Sequence, residues 1–226
     1  MVSQDFLSIL DGLMLGDGSL RIRPNARNAT FSYSGKHKYV AIALKALFEN
    51  EGFVFPPKNH PYYYHRLVKK TQKWCDEWHI ITRVHSILTE QYRRWYPEGK
   101  KQIPSDLILD PLVVKHWYYG DGGLGHHDKR TDDARFSTHG FKYEEVYFLS
   151  HLLAEVINFP YVKIINHQNK HMLYLGKAQI PPLLSYMGEC DLPCYSYKWI
   201  VDKRDEYNYY LHNCLCEIEK RAYVEL

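Results

Sequence analysis

Two acidic residues stand at matching points of the sequence and are the first candidates for chemistry. Asp17 and Asp121 each lie in a Gly-Asp-Gly triplet, and each triplet ends a short apolar run with a helical pattern. Two carboxylates that are brought close together repel each other unless a cation lies between them. Oxygen-rich sites with water and phosphate suit Mg²⁺. The two acids therefore predict a divalent metal site, provided that the fold brings them together.

Small residues in the first run can bring two helices into close contact. Gly12 and Gly16 are four residues apart, so they lie on one face of a helix. Small residues at this spacing let two helix backbones approach closely. A glycine can also simply end a helix, and for one run alone that explanation is sufficient. Two runs favour a pair of helices packed side by side, with the acids at their ends. The candidate residues at this interface are Gly12, Gly16, His116 and Gly120.

An internal repeat supports this pairing. Asp17 and Asp121 are 104 positions apart, and the segments that follow them also match. ATFSYSG at 29–35 corresponds to ARFSTHG at 134–140, with Ala, Phe, Ser and Gly at the same places. Each segment precedes a helical pattern, so a duplication explains the whole series. We therefore predict two related domains, residues 1–104 and 105–226.

Each half is predicted to contain a helix, two strands, a helix, two strands and a helix. The helices of the first half are predicted over 5–16, 37–51 and 83–95, with Gly52 as the stop of the second. Its strands are predicted in SLRIR, ATFSYS, YYYHRLVKK and KWCDEWHI. In the second half the later strands are YVKIINH and MLYLG, and helices are predicted over 177–187 and 203–222. The basic segment 98–106 is expected to join the halves.

Composition limits the class of protein. A chain of 226 residues that is 45% hydrophobic and 15% aromatic can bury a core. A net charge of +3 permits a nucleic-acid partner without requiring one. No apolar run approaches the ~18 residues of a membrane span, and the N-terminus lacks the basic region of a secretory signal. Five cysteines, an odd number, indicate a reducing intracellular compartment, either the cytoplasm of a prokaryote or an organelle.

The two runs resemble the motif of the LAGLIDADG homing endonucleases, in the single-chain form with two motif copies. LDGLMLGDG at 10–18 follows the motif closely, whereas VKHWYYGDG at 114–122 has His116 where the motif has a small residue. Together with the repeat, the resemblance covers nearly the whole chain. It implies an α+β fold of two pseudo-symmetric αββαββα lobes. Their antiparallel sheets would form a saddle over the DNA major groove, with the motif helices at the lobe interface.

The resemblance also implies a function. It predicts a monomeric, site-specific homing endonuclease that makes metal-dependent double-strand cuts in a long DNA target and hydrolyses phosphodiesters across the minor groove. Mg²⁺ is the implied cofactor, and Mn²⁺ or Ca²⁺ can replace it for binding. The implied metal ligands are Asp17 and Asp121 with the adjacent Gly16 and Gly120.

Two lysines complete the implied catalytic set. KKQIP at 100–104 and YSYKW at 195–199 resemble the segments that carry a basic residue near each metal, which indicates Lys101 and Lys198. Metal ions bridged by two acids can activate a water and stabilise the departing oxygen, and an ammonium group can stabilise the added negative charge. Lys101 can instead be a solvated linker charge, or Lys100 can be the relevant residue.

DNA contacts are predicted on the polar faces of the strands. Thr30, Ser32 and Ser34 alternate with apolar residues, which is typical of a strand with one polar and one buried face. Polar side chains on such a face suit base-edge and phosphate contacts, although they can also be merely solvated. The predicted DNA-binding residues are Arg21, Arg23, Thr30, Ser32, Ser34, Arg66, Lys69, Arg135, Ser137, His139, Lys163 and His167.

Three alternatives remain open. Cys190 and Cys194, with the pair at 214 and 216, suggest a zinc site, but the spacing is poor and buried free thiols are favoured. The adjacent pair His126 and His127 suggests a His-metal nuclease, yet adjacent residues rarely converge on one ion. The main functional alternative is a non-cleaving nucleic-acid binder on the same fold, either an RNA maturase with intron RNA as its partner or a transcription regulator.

Overall fold

The computed structural model describes residues 2–57, 60–68, 72–127, 130–167 and 170–201. Its first half contains three helices and four strands, in the order α1 (Gln4–Leu15), β1 (Gly18–Arg21), β2 (Thr30–Gly35), α2 (Lys38–Asn50), β3 (Tyr62–Val68), β4 (Lys73–Ile81) and α3 (Ser86–Trp95). Its second half repeats this order as α4 (Pro111–Asp121), β5 (Gly122–His127), β6 (Arg130–Ser137), α5 (Tyr143–Val156), β7 (Lys163–His167), β8 (Lys170–Gly176) and α6 (Ile180–Met187). A 3₁₀ segment, Pro193–Trp199, follows.

The strands form two antiparallel sheets with the same topology. The first sheet has the order β1-β2-β4-β3 and the second has the order β5-β6-β8-β7. The predicted α+β fold with two αββαββα units is therefore confirmed. The predicted helix over 203–222 lies outside the described residues. No helix in the described part of the chain is both long and apolar enough to cross a membrane.

Helices cover one face of each sheet. In β2, Phe31 and Tyr33 are buried while Ser32 and Ser34 are only partly covered, as the alternation predicts. The ring of Phe31 stacks on Phe48 of α2 with centroids 4.7 Å apart. In the second sheet Phe136 plays the same part, with its ring 4.2 Å from that of Trp117 of α4. Each such ring contributes about 1.5–3 kcal/mol to folding when it leaves water.

Local signals set the ends of these elements. Asp110 caps α4, because its Oδ1 accepts a hydrogen bond from the Val113 amide at 2.9 Å, and Pro111 occupies the first turn. Gly52, just after α2, adopts a φ of 84°, the left-handed conformation that glycine tolerates best. The prediction that Arg23 belongs to the first strand is wrong. β1 ends at Arg21, and Arg23 precedes a turn in which Asn25 has a φ of 65°.

A polar cluster ties α1 to α3 and to the segment that joins the halves. Asp11 is only 9% exposed, and its Oδ1 accepts hydrogen bonds from Arg94 Nη1 at 2.6 Å and from Trp95 Nε1 at 2.9 Å. The Arg94 Nε also donates to Asp106 at 2.8 Å. Asp11, the second residue of the run 10–18, is therefore a buried acid with a structural role. Its hydrogen-bond partners replace the water that it loses on burial.

Candidate metal and nucleic-acid site

The candidate site begins where α1 and α4 cross. A Cβ atom on Gly12 would lie 2.5 Å from the carbonyl oxygen of Val113 and 2.8 Å from the Cβ of His116. Real Cβ atoms essentially never come this close to other heavy atoms, so only glycine fits at position 12. His116 occupies the place that the motif gives to a small residue. At this contact only α1 has a small residue. The missing side chain of Gly12 is enough to let α1 and α4 approach closely.

The two Gly-Asp-Gly triplets meet just beyond this crossing. A Cβ atom on Gly16 would lie 3.6 Å from the Cα of Gly120, and one on Gly120 would lie 3.4 Å from the Oδ2 of Asp17. The ends of the two helices therefore run side by side. Asp17, just past α1, and Asp121, the last residue of α4, are thereby brought into one site, although they are 104 positions apart in the sequence.

The electrostatics of the acids reflect this closeness. Burial raises the pKa of Asp121, repulsion by Asp17 raises it further, and the two lysines lower it, which leaves it at about 7. The pKa of Asp17 is also raised by loss of water, against the opposing effect of Lys198 and Lys101. Asp17 itself keeps an exposed edge. A cation between the carboxylates would relieve their repulsion, so this pair fits a metal ion.

Each predicted lysine contacts the end of its own motif helix. Lys101 Nζ donates to the carbonyl oxygens of Gly18 at 2.9 Å and Gly16 at 3.4 Å. Lys198 Nζ donates to Gly122 at 2.7 Å, and also to the carbonyls of Tyr118 and Tyr119. Gly18 and Gly122 hold equivalent places in the repeat, so the two lysines are equivalent in position. Cations at a helix C-terminus interact favourably with its exposed carbonyls.

The lysines are charged near neutral pH, although at a cost. Burial lowers the pKa of each to about 8, while attraction to Asp17 and Asp121 opposes the shift. Lys198 is 6% exposed. A cleft of about 370 Å³ opens beside this group, and its lining includes Asp17, Ser34 and Lys198. The cleft leads from Asp17 along the open face of the first sheet, meaning the face opposite Phe31.

The zinc alternative finds no support in the described residues, and the side chains of His126 and His127 lie outside what the structure describes. Across the described ranges, no group of three or more His, Cys, Asp and Glu side chains could hold a metal ion. Cys194 is buried, and the Cys190 thiol donates to the Leu192 carbonyl at 3.2 Å. Cysteines 214 and 216 lie outside the described residues. A pair of carboxylates, completed by backbone oxygens, water and phosphate, is the kind of donor set that Mg²⁺ uses.

Comparison with known proteins establishes the family. Residues 7–183 match the LAGLIDADG DNA endonuclease family over more than half of the chain. The chain belongs to this family. The match to this LAGLIDADG family extends from α1 into α6.

Individual relatives show both the fold and a range of names. An uncharacterized protein of Methanocaldococcus jannaschii is 29% identical over 203 residues, which is 87% of this chain and 74% of that protein. A protein of Debaryomyces hansenii named cytochrome b mRNA maturase bI2 is 24% identical over 210 residues, again 87% of this chain and 74% of the relative. The homing endonuclease I-WcaI, solved with its DNA recognition sequence, superposes with a TM-score of 0.75 at 22% identity over 89% of this chain and 88% of that one.

The first sheet of this LAGLIDADG protein places the predicted DNA-binding residues unequally. Ser32 and Ser34 are on the open face, and Ser34 lines the cleft. Arg21 is exposed at the end of β1. Thr30 is 9% exposed and donates its hydroxyl to the Arg21 carbonyl at 3.3 Å, so it is less accessible than predicted. Arg66 pairs with Glu77 through Nη2 at 2.9 and 3.1 Å. Lys69 lies outside the described residues.

The second sheet brings its predicted residues together on the matching face. Arg135 and Ser137 alternate with the buried Phe136. Lys163 pairs across the strands with Tyr174, which in turn pairs with Arg135, so all three share one face. His139 lies just past β6 and its ring is parallel to that of His167 at 6.2 Å.

Sequence reasoning missed the acidic partners of these arginines. Glu77 and Asp133 each hold an arginine on an open sheet face, and neither is among the predicted site residues. For Asp133 a signal was present, because its separation from Arg135 by two positions puts both side chains on one face of a strand.

Proposed function

We propose that this protein is a single-chain, site-specific DNA endonuclease with two motif copies, one in residues 1–104 and one in residues 105–226. The observation that carries the proposal is the equivalent environment of the two acids. Asp17 lies just past the end of α1 and Asp121 is the last residue of α4, and the end of each helix is bound by one lysine, Lys101 or Lys198. A site with one acid and one lysine from each half suits a reaction that must be carried out twice, once on each DNA strand.

Asp17 and Asp121 would hold the metal, with the carbonyl oxygens of Gly16 and Gly120 close by. When bound, divalent metal ions would supply an activated water and stabilise the leaving oxygen of the phosphodiester. The chain itself supplies fixed positive charge. Lys101 and Lys198 are held in place by helix-end carbonyls, so their ammonium groups can stabilise the extra negative charge at each scissile phosphate without reorganising.

The two sheets would bind the target. Their open faces carry Ser32, Ser34, Arg135, Ser137 and Lys163, which are side chains that suit base edges and phosphates in a major groove. The relative I-WcaI, which has the same fold, was solved with its DNA recognition sequence. We infer that this chain acts as a monomer on a long duplex during intron homing, inside a reducing compartment, with Mg²⁺ as its cofactor.

A cleavage selection tests the proposal and finds the target sequence in the same experiment. The purified protein is incubated with a library of randomised duplexes in Mg²⁺, in Ca²⁺ and in EDTA, and the ends that form are sequenced. We expect double-strand products that share a common sequence in Mg²⁺ and none in EDTA. A matched protein with Asp17→Asn and Asp121→Asn controls for contaminating nuclease. Equal cutting by this control, or no common sequence with the native protein, would contradict the proposal.

A second function is favoured by the fungal relative. Because that protein is named an mRNA maturase, this chain is a candidate for binding intron RNA and assisting its splicing. The two roles can coexist, since the sheets and the two acids form different parts of the molecule. Tight binding of an intron RNA and rescue of its splicing, without any metal-dependent DNA cut, would favour the maturase over the nuclease.

Metal binding should depend on pH in a direction set by the two acids. Because the pKa of Asp121 is raised from 3.8 to about 7, the site holds a proton that must leave before a cation binds. We expect the affinity for Ca²⁺, measured by titration calorimetry, to rise up to ~10-fold per pH unit below pH 7 and to level off above it.

The stability of the folded protein depends on pH in the opposite direction. A raised pKa in the folded state means that the metal-free protein loses stability as the pH rises from about 4 to about 7. Asp121→Asn should remove most of this loss, and it should raise the melting temperature of the metal-free protein at pH 8. A flat affinity profile across pH 5.5 to 8 would show that the acids are not the ligands.

A further inference from the structure

An acid is buried on a face where a DNA-binding protein gains nothing from negative charge. Asp133 lies at β6 on the open face of the second sheet, the side opposite Phe136, and its side chain is only 3% exposed. Acids are rarely buried to this degree unless they are paired. On a face that is proposed to meet phosphates, a carboxylate weakens long-range attraction to DNA. Its presence therefore calls for a specific purpose.

The partner of this acid is the arginine two residues along the same strand. Arg135 Nε donates to Asp133 Oδ1 at 2.8 Å, and Arg135 Nη2 donates to Oδ2 at 2.8 Å. Two parallel hydrogen bonds between a guanidinium and a carboxylate fix both the position and the plane of the arginine. Hydrogen bonding to Asp133 also raises the pKa of Arg135 above its ordinary value. The arginine side chain remains 37% exposed.

The neighbouring strands are shaped to hold this pair. Gly125 of β5 pairs across the sheet with Asp133, and a Cβ atom on Gly125 would lie 2.3 Å from Oδ1 of the acid. The strand shifts register directly after Gly125. Arg135 itself faces Gly123, where a Cβ atom would meet nothing within 4 Å. On the other side, the guanidinium carbon is 5.9 Å from the ring centroid of Tyr174.

We propose that Asp133 is a positioning residue that fixes Arg135 to read a guanine in the DNA target. This inference rests on the proposed DNA-binding function. Asp133 uses the side edge of the guanidinium, formed by Nε and Nη2. The end edge, formed by Nη1 and Nη2, has the spacing of the N7 and O6 acceptors that guanine presents in the major groove. Asp133 lowers the affinity for DNA of any sequence. It also makes binding depend on the base pair that Arg135 contacts.

The ion pair in the first sheet fixes its arginine less firmly. Arg66 and Glu77 are also hydrogen-bonded, but 60% of the Arg66 side chain is exposed and it lies near the end of the β3–β4 hairpin. An ion pair restricts an exposed arginine only weakly, because solvent competes for its guanidinium. Glu77→Gln is for that reason a control for the removal of one acid from an open face.

The test uses two variants that break the same pair in different ways. Asp133→Asn keeps the shape but leaves an amide that can accept only one of the two arginine bonds. Gly125→Ala displaces the carboxylate while keeping its charge. Each protein selects duplexes from a randomised library in Ca²⁺, which permits binding without cutting, and the base preferences are compared with those of the native protein.

We expect both variants to lose preference for guanine at one position by about ten-fold. The affinity for unrelated DNA should change differently in the two variants. Asp133→Asn should increase it by about three-fold, because a negative charge leaves the DNA-facing surface, whereas Gly125→Ala should leave it unchanged. A purely structural ion pair would predict loss of thermal stability with an unchanged preference profile, and that result would overturn the inference.

The outcomes also separate this inference from the proposed function. If the native protein selects no common sequence, the DNA-binding function fails and the inference fails with it. If the native protein selects a sequence and Asp133→Asn and Gly125→Ala select the same one, only the role of Asp133 is refuted. Glu77→Gln should raise binding to unrelated DNA and leave the guanine preference intact. Loss of that same guanine in Glu77→Gln would also refute the role of Asp133.

Discussion

Asp17→Asn should reduce double-strand cleavage by at least ~1000-fold while DNA binding stays nearly intact. The amide keeps the shape of the side chain but removes the charge that would hold a divalent cation, and loss of such electrostatic stabilisation is among the largest single effects on an enzyme. Because the acids lie in one site, the same reduction is expected for Asp121→Asn. Cleavage of both DNA strands should be slower in each variant, because Asp17 and Asp121 lie next to each other in one site.

Nicking and cutting of a plasmid that carries the selected target can be followed on a gel, with binding measured separately in Ca²⁺. Asp5→Asn is a suitable control, because Asp5 is an exposed acid in the first turn of the same helix. Its cleavage rate should match that of the native protein. Cutting of both strands by Asp17→Asn at the native rate would show that this acid has no part in the chemistry.

Gly12→Val should destabilise the protein by about 3 kcal/mol, which is the cost of forcing extra atoms into a packed crossing. The clash is with the Val113 carbonyl and the His116 Cβ, and neither belongs to a flexible chain end. α1 and α4 must then separate, which moves the Gly-Asp-Gly ends apart. We therefore expect loss of metal binding together with a fall in melting temperature of ~6–12 °C for a domain of this size.

Gly140→Ala provides the matched control for the glycine substitution. Nothing lies within 4 Å of a Cβ at that position, and its φ is not in the left-handed region. Its unfolding curve should be close to that of the native protein in thermal and denaturant melts. If Gly12→Val melted like Gly140→Ala, the helices would not be in the close contact described for them.

The sequence predicted most of the fold because its signals are local and repeated. Alternation in ATFSYS and helical spacing in 5–16 each specify an element independently of the rest of the chain, and the 104-residue repeat tells which elements correspond. The acids and Lys198 could be found because they belong to segments with recognisable neighbours. Their predicted roles in catalysis remain predictions, although the structure brings these residues to one place.

Other features depend on contacts that sequence patterns do not encode. Arg23 continues the alternation of SLRIR, which favours a strand, but Pro24 lacks an amide hydrogen and lies with Asn25 at the centre of a turn, so the strand ends at Arg21. The burial of Thr30 and the pairing of Arg66 with Glu77 likewise follow from which strands become neighbours. That choice is made by the whole chain, so no single segment reveals it.

The helix crossing also decides which partners the halves can accept. His116 is the residue that corresponds to Gly12 in the repeat, and the imidazole of one half fits only because the other half offers no side chain there. In a homodimer of the second half, two His116 imidazoles would face each other where there is space for only one. The helix that carries His116 therefore fits against the glycine-bearing helix of the first half and not against a second copy of itself.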